Sequence, residues 1–375
     1  MDLLPPLMVD DEDDREMKSR NIDGKFLSSL TLVDGCNDDP SLNIDFCSFK
    51  LHRLLGRGSY SDVWKAQFKE VTVALKVINS TDEVLRGIFY REIETMRSLV
   101  HPNIVEILGA CVYPVFAIAM QYMTCGSLSQ LLHESKNIGY KADHVFHWAS
   151  QCFDGLHYIH RKGFAHADLK TANLLLDDNC RRLKIADFGT MVYMNSDTGY
   201  RQGSAPWMAP EVIGGSPPSD KSDIYSFGIV LWEVITRKRP YDGCENAEEI
   251  LWSVYGGLRP PSIEDIPSKL MQMIERCWDK SAEKRPSAGE IIKVLTILRR
   301  MYPNSSEPLT YSETNSVQMK EVTDNGNNDT SSTTKKETVV SIDRELSPNL
   351  ADEIEALKKK YEQPYNHSKL DEMNE

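Results

Sequence analysis

Between Phe49 and Met120, apolar and polar residues alternate in short runs: Lys50–Leu55, Asp62–Phe68, Thr72–Ile78, Ile107–Val112 and Val115–Met120. A period of two is that of a half-buried strand. One stretch breaks the pattern: over Val84–Leu99, Leu85, Ile88, Met96 and Leu99 fall on one helical face. From Ser127 to Arg300 helical patterns dominate, and the run from Ser222 to Ile235 is apolar nearly all round, which predicts a helix buried on every side. The pattern predicts an α+β chain with two lobes. A small β-rich lobe with one helix covers about 48–120, a hinge covers 121–126, and a larger, mainly helical lobe covers 127–300. Residues 1–47 and 301–375 are polar and lack periodicity, so both read as mostly disordered. Within the tail, 347–362 is a candidate helix: Leu350, Ile354, Leu357 and Tyr361 repeat at 4-3-4 spacing, with acids leading and lysines following. Two heptads are too short to be stable alone. A docking helix for an adaptor or for the chain itself, and a solvated helix with no partner, both remain open.

Charge and composition narrow the partners. The 375 residues are 41% hydrophobic, enough for a large core, and carry a formal charge of −13. That balance argues against nonspecific binding to nucleic acid or to an anionic membrane. Residues 1–47 hold twelve Asp and Glu against four Lys and Arg, the composition of a solvated acidic segment. The eight cysteines show no CxxC pair, as expected of a reduced intracellular protein. No basic, then apolar, leader opens the chain and no run reaches the length of a membrane span. A cytoplasmic enzyme or scaffold is the expectation.

The candidate chemistry lies in four strings. Leu55-Gly56-Arg57-Gly58-Ser59-Tyr60-Ser61-Asp62-Val63 is Gly-rich and lies between two strand patterns. Glycines let backbone N–H groups approach phosphate oxygens. A dinucleotide-binding loop would lead into a helix, whereas here a strand follows. Lys76 stands inside an apolar strand, where an ammonium is costly unless paired. Glu92 falls on the inward stripe of the 84–99 helix and is its natural partner, while Glu94 points elsewhere. Asp168, Lys170 and Asn173 then precede Asp187-Phe188-Gly189, with fourteen positions from Asn173 to Asp187. Asp168 is placed to accept or orient a hydroxyl proton, and Lys170 to neutralise phosphate. Asn173 and Asp187 offer the oxygen ligands that Mg²⁺ prefers.

Together these strings resemble the signature set of the eukaryotic protein kinases, in order: Gly56-x-Gly58, Val73-Ala74-Leu75-Lys76, His166-Ala167-Asp168-x-Lys170-x-x-Asn173, Asp187-Phe188-Gly189 and Ala209-Pro210-Glu211. The resemblance covers about 48–300. Lys170 is similar to the Ser/Thr kinases. Gly203–Glu211, Leu108–Cys111 and Cys125–Leu128 resemble the tyrosine-kinase-like branch, and Asp187-Phe-Gly-Thr190 resembles its transforming-growth-factor-β-activated group of mitogen-activated kinase kinase kinases. The resemblance implies a bilobal kinase fold, MgATP, and a protein substrate that is a mitogen-activated kinase kinase. It also implies that Val63, Ala74 and Leu175 sandwich an adenine, that Met120 is the gatekeeper, and that Gln121 and Met123 offer backbone hydrogen bonds. Ser204 would help to position Asp168 and Lys170, Arg285 would pair with Glu211, and Ile107, Met96, Phe188 and His166 would stack across the lobes on Asp223. A scaffold that binds nucleotide without turnover is the competing reading; a small-molecule kinase is disfavoured by the Gly203–Glu211 segment.

Two positions depart from that pattern. Ser61 replaces the third glycine. Ala167 replaces the usual Arg that pairs with a phosphate on the activation loop, and the two helper positions are Val192 and Ile88, both uncharged. Phosphorylation at Ser196 or Thr198 would gain little ordering energy by that route, so either activity depends weakly on it or a partner orders the loop instead. A Ser196→Ala/Thr198→Ala double variant is therefore expected to keep most of its phosphotransfer rate in initial-rate assays; near-complete loss would contradict this.

Overall fold

The computed structural model describes residues 44–58, 61–78, 83–112, 115–135, 137–194, 203–264, 266–301 and 309–311. The acidic stretch before residue 44, Ser196, Thr198 and the candidate helix at 347–362 lie outside them.

The first lobe is a five-stranded antiparallel sheet, β1 (Phe49–Arg57), β2 (Ser61–Phe68), β3 (Val71–Ile78), β4 (Ile107–Cys111) and β5 (Ala117–Gln121), in spatial order β1-β2-β3-β5-β4. Alternation along β3 decides what each face does. Val73, Leu75 and Val77 join Trp64, Ala66 and Phe68 in an outer core closed by Ile44, Phe46 and Phe49. Ala74 and Lys76 therefore fall on the opposite face. There β3 pairs with β5 in a register that sets Ala74 against Met120 and Lys76 against Ile118.

Helix α1 (Glu83–Ser98) packs beneath that face. Its buried side chains are Phe89, Glu92, Ile93, Thr95 and Met96, with Leu99 just beyond its end. The stripe expected from sequence was partly wrong: Ile88 is 40% exposed, and Phe89 and Ile93 take up the apolar contacts. The Leu85 side chain lies outside the described residues. Glu92 is buried as expected and Glu94 is exposed.

The second lobe runs through α2 (Leu128–His133), β6 (Ile138–Gly139), α3 (Ala142–Arg161), β7 (Phe164–Ala165), β8 (Leu174–Asp177), β9 (Arg182–Ile185) and β10 (Val192–Tyr193). It continues with α4 (Pro210–Ile213), α5 (Asp220–Thr236), α6 (Ala247–Gly256), α7 (Ser268–Cys277), α8 (Ala288–Met301) and β11 (Thr310–Tyr311). β8 and β9 form a hairpin, β7 pairs with β10, and β6 with β11.

Helix α5 is the axis of this lobe, and every residue from Ser222 to Val234 is buried. It starts at a capping box, in which Ser219 and Ser222 satisfy each other's backbone N–H groups. It approaches α7 so closely that a Cβ on Gly228 would lie 2.7 Å from the Cys277 Cβ. Its end is closed by Arg237, whose φ is +56°. The Arg237 guanidinium donates to four carbonyls, those of Leu131, Leu132, Ser135 and Ile138, and so ties down the frayed end of α2.

One apolar cluster runs through both lobes. It contains Phe89, Ile93 and Met96 of α1, Ile118 of β5, Phe188, and the inward faces of α3 and α5, with Ile107 and Met120 packed against it. The His166 and Phe188 rings meet edge to face at 5.9 Å, as the expected stack across the lobes requires. The expected Arg285–Glu211 pair is bidentate, at 2.6 and 2.7 Å, and Arg285 also lies over the Tyr225 ring at 5.2 Å. Arg285 is 2% exposed. Removing a buried partner strands the other group's desolvation cost, so Arg285→Ala is expected to lower unfolding free energy by about 3 kcal/mol, checked by urea denaturation.

Candidate active site

A cleft between the lobes receives side chains from β3, α1, the loop 166–173, the residues after β9, and the segment 203–207. Each is aimed by local structure. Lys76 lies on the inner face of β3, and its Nζ donates to Glu92 Oε1 on α1 at 2.6 Å and to Asp187 Oδ1 at 3.4 Å. These two partners are 16 and 111 positions from Lys76 in sequence, so the contact ties both lobes together. Burial alone would lower the Lys76 ammonium, but Glu92 and Asp187 hold it above its ordinary range. Burial lifts the Glu92 carboxyl against the pull of Lys76. Burial also opposes ionisation of Asp187, yet Lys76, then His166 and Lys170, hold its carboxyl below the usual carboxylate range. Lys76 is thus a fixed positive charge and Asp187 a fixed negative one, with 44% of the Asp187 side chain open to the cleft.

The β8–β9 register sets Leu174 against Ile185. Asn173 and Asp187 flank that pair, and the Ala186 N–H donates to the Asn173 carbonyl at 2.9 Å. Asp187 sits at φ +64°, which turns its carboxylate back toward Lys76 and away from Phe188, buried beneath α1. Gly189 has a close neighbour: a Cβ there would stand 3.5 Å from Glu92 Oε2.

The loop 166–173 hangs from Asp223 on α5. The Asp223 carboxylate, 1% exposed, accepts the backbone N–H groups of His166 at 2.8 Å and Ala167 at 3.0 Å, and the His160 ring at 2.8 Å. Ala167 is held at φ +65°, so the chain reverses and Asp168 points into the cleft. Lys170 Nζ donates both to Asp168 Oδ2 and to Ser204 Oγ, each at 2.7 Å. Asn173 Nδ2 donates to the Asp168 carbonyl at 2.9 Å and to Asp168 Oδ2 at 3.3 Å. With its nitrogen spent there, Asn173 keeps its amide oxygen for another partner. Asp168 Oδ1 is buried and accepts no hydrogen bond from the described residues. A buried acceptor left without a donor is costly and points to an absent proton donor. Gly203 is needed beside it: its φ is +124°, and a Cβ would strike the Ala167 carbonyl oxygen at 2.9 Å.

The remaining expected residues that the structure describes lie on β1, β2, β3, β5 and β8 and just after β1 and β5. Leu55, Gly56 and Arg57 belong to β1 itself rather than to a loop. The turn after them is narrow, with the Gly58 N–H on the Ser61 carbonyl at 2.7 Å; Ser59 and Tyr60 lie outside the described residues. Val63, Ala74, Met120 and Leu175 are half-buried or buried, and Met123 is buried. The Gln121 side chain is held by Lys184 Nζ at 2.6 Å, and its backbone N–H donates to the Glu106 carbonyl at 2.9 Å. Asn173 and Asp187 present hard oxygen donors side by side, a set that fits Mg²⁺ with phosphate completing the shell. Lys76 could neutralise phosphate, and Asp168 Oδ1 could take a hydroxyl.

Sequence reasoning missed Glu233. This α5 carboxylate is 1% exposed and accepts from Thr171 Oγ1 at 2.9 Å and Trp207 Nε1 at 3.2 Å, with the His133 ring at 2.7 Å. Asp223 grips the start of the 166–173 loop and Glu233 its far part, together with the segment that carries Ser204. The available signal was a carboxylate inside a run otherwise read as apolar.

A family model described as "Protein tyrosine and serine/threonine kinase" matches residues 49–295. "Mitogen-activated protein kinase kinase kinase 7" of Homo sapiens is 41% identical over 273 residues, covering 72% of this chain and 45% of the relative. The protein of the same name from Drosophila melanogaster is 36% identical over 276 residues, covering 72% and 40%. "Serine/threonine-protein kinase STY46" of Arabidopsis thaliana is 36% identical over 258 residues, covering 67% and 44%. The chain spans less than half the length of these curated relatives.

Glu233→Gln keeps the shape but turns one acceptor oxygen into a donor, so a hydrogen bond worth about 1 kcal/mol is exchanged for a clash of donors. The expected result is turnover about tenfold lower with nucleotide affinity unchanged, read by initial rates alongside nucleotide titration.

Proposed function

The chain belongs to the protein tyrosine and serine/threonine kinase family, and on that premise we propose that it is a serine/threonine protein kinase acting as a mitogen-activated kinase kinase kinase. It transfers the γ-phosphoryl group of ATP to a protein hydroxyl. The observation that carries this reading is Lys170, bonded at 2.7 Å both to Asp168 and to Ser204.

In the reaction, Asp168 aligns the acceptor hydroxyl on its unpartnered Oδ1 and draws off its proton. Lys170 stays next to Asp168 and offsets the negative charge that spreads over the phosphoryl oxygens. Ser204 holds Lys170 in that position. Lys76, fixed by Glu92, binds the nucleotide's phosphates, with the backbone of Gly56, Arg57 and Gly58 above them. Val63, Ala74 and Leu175 enclose the base, Met120 closes the back of the pocket, and Gln121 and Met123 present backbone groups to its edge. Mg²⁺, which Asn173 and Asp187 would hold, supplies positive charge against the phosphate oxygens.

The acceptor we propose is a mitogen-activated kinase kinase, supported by the names of the relatives at 41% and 36% identity. Among the described residues no helix is long and apolar enough to cross a membrane, and we propose action in the cytoplasm. Asp168→Asn is expected to lower turnover by orders of magnitude while nucleotide affinity stays nearly intact. Radiolabelled ATP offered with a panel of inactive mitogen-activated kinase kinases, alongside calorimetry with MgATP, checks both. Equal loss of turnover and affinity would refute the role of Asp168, and no labelled kinase kinase would refute the substrate.

A further inference from the structure

Two cysteines 55 positions apart meet just beyond the segment that joins the lobes. Cys125 leaves that segment paired with β8: its N–H donates to the Leu176 carbonyl at 3.0 Å, and the Leu176 N–H donates to the Gly126 carbonyl at 2.8 Å. Cys180 lies in the turn between β8 and β9. Asp178, Asn179 and Cys180 are all left-handed, at φ +51°, +54° and +62°. Three such residues in a row are strained, and the strain is held by fixed contacts. The Cys180 carbonyl accepts from Trp148 Nε1 at 2.6 Å, and its N–H donates to Cys125 Sγ at 3.2 Å. Both side chains are buried, at 6% and 4% exposure.

The two sulfurs are not equivalent. The Cys180 thiol holds Cys125 below its ordinary range, against burial that would raise it, with help from the Cys180 backbone N–H. Cys180, the donor, is pushed up. Burial with no such donor has the opposite effect elsewhere, pushing Cys277 up to about 12. Two neighbouring sulfurs of unequal acidity have the arrangement of an attacking and a resolving sulfur.

We propose that Cys125 and Cys180 are a redox site, which a hydroperoxide oxidises to an intramolecular disulfide that weakens nucleotide binding. The Cys125 thiolate attacks one peroxide oxygen; the O–O bond breaks, the leaving hydroxide takes a proton to become water, and Cys125 becomes a sulfenic acid. The Cys180 sulfur then attacks the Cys125 sulfur; the S–O bond breaks, and the departing hydroxide leaves as water with the Cys180 proton. Two thiols and one hydrogen peroxide give one disulfide and two waters, the sulfurs losing the two electrons that the peroxide gains. A covalent S–S bond is shorter than any hydrogen-bonded thiol contact. It must draw Cys125 and the turn together across β8, which carries Leu175 on the floor of the proposed nucleotide pocket. The cross-link rests on the 3.2 Å contact between the Cys180 N–H and the Cys125 sulfur, whereas its effect on nucleotide rests on the kinase reading.

The test treats the purified full chain with graded hydrogen peroxide, blocks remaining thiols, and maps peptides without reduction. The expected product joins the peptide containing Cys125 to that containing Cys180, two hydrogens lighter than their sum, and dithiothreitol reverses it. The KM for ATP rises severalfold with the cross-link and returns on reduction, while Cys180→Ser does not respond to peroxide. Complete oxidation of the exposed Cys47 with no 125–180 cross-link would overturn the site. A quantitative cross-link with unchanged KM would overturn its effect. The peptide map needs neither a variant nor activity, so failure of this site and failure of the kinase reading are distinguishable.

Discussion

The carboxylate of Asp223 is the contact on which the catalytic side of the cleft depends. It lies in α5, buried from Ser222 to Val234, and gives its oxygens to two consecutive backbone N–H groups. A buried carboxylate needs such donors, because stripped of water it has nothing else to offset its charge. The same donors belong to the one place where the loop bends backwards at a residue with a side chain, Ala167. Strain and desolvation thus offset each other locally: the helix needs the loop as much as the loop needs the helix. Asp168, Lys170 and Asn173 then fall into place through bonds among themselves.

The other side of the cleft follows a different logic. Lys76 and Glu92 come from elements that share no backbone hydrogen bonding, so their 2.6 Å contact exists only while α1 is docked against the sheet. Burial on both sides makes each ion intolerant of losing the other. Asp187 joins them here, and the next residue, Phe188, lies in the apolar cluster with Phe89, Ile93 and Met96 of α1. One apolar ring and one ion pair therefore report on the same docking event, and the continuous apolar cluster through both lobes makes that event cooperative.

The strands were legible because alternation is a property of single runs: β3 was expected to begin at Thr72 and begins at Val71. Lys76, Glu92, Asp168 and Asp187 were legible because a charge in an apolar pattern demands a partner, and few partners were on offer. Ile88 misled because helical phase defines a face but not how far the neighbouring lobe covers it; the covering elements are distant in sequence. Glu233 was overlooked for the converse reason. Its partners Thr171, Trp207 and His133 come from three separate segments, and only the folded chain brings a hydroxyl, an indole and an imidazole to one carboxylate. The Cys125–Cys180 contact was invisible for the same cause, since it needs a hairpin turn of unusual backbone to place one sulfur on another.

Gly228 lies midway between Asp223 and Glu233, five positions from each. Where it crosses α7 no side chain fits, so the helix can seat there at only one residue. A slip of one position would turn the helix by about 100° and swing both carboxylates off their targets at once. The smallest residue in the chain therefore works as a detent: it fixes the angular setting of a shaft from which both halves of the catalytic loop are hung.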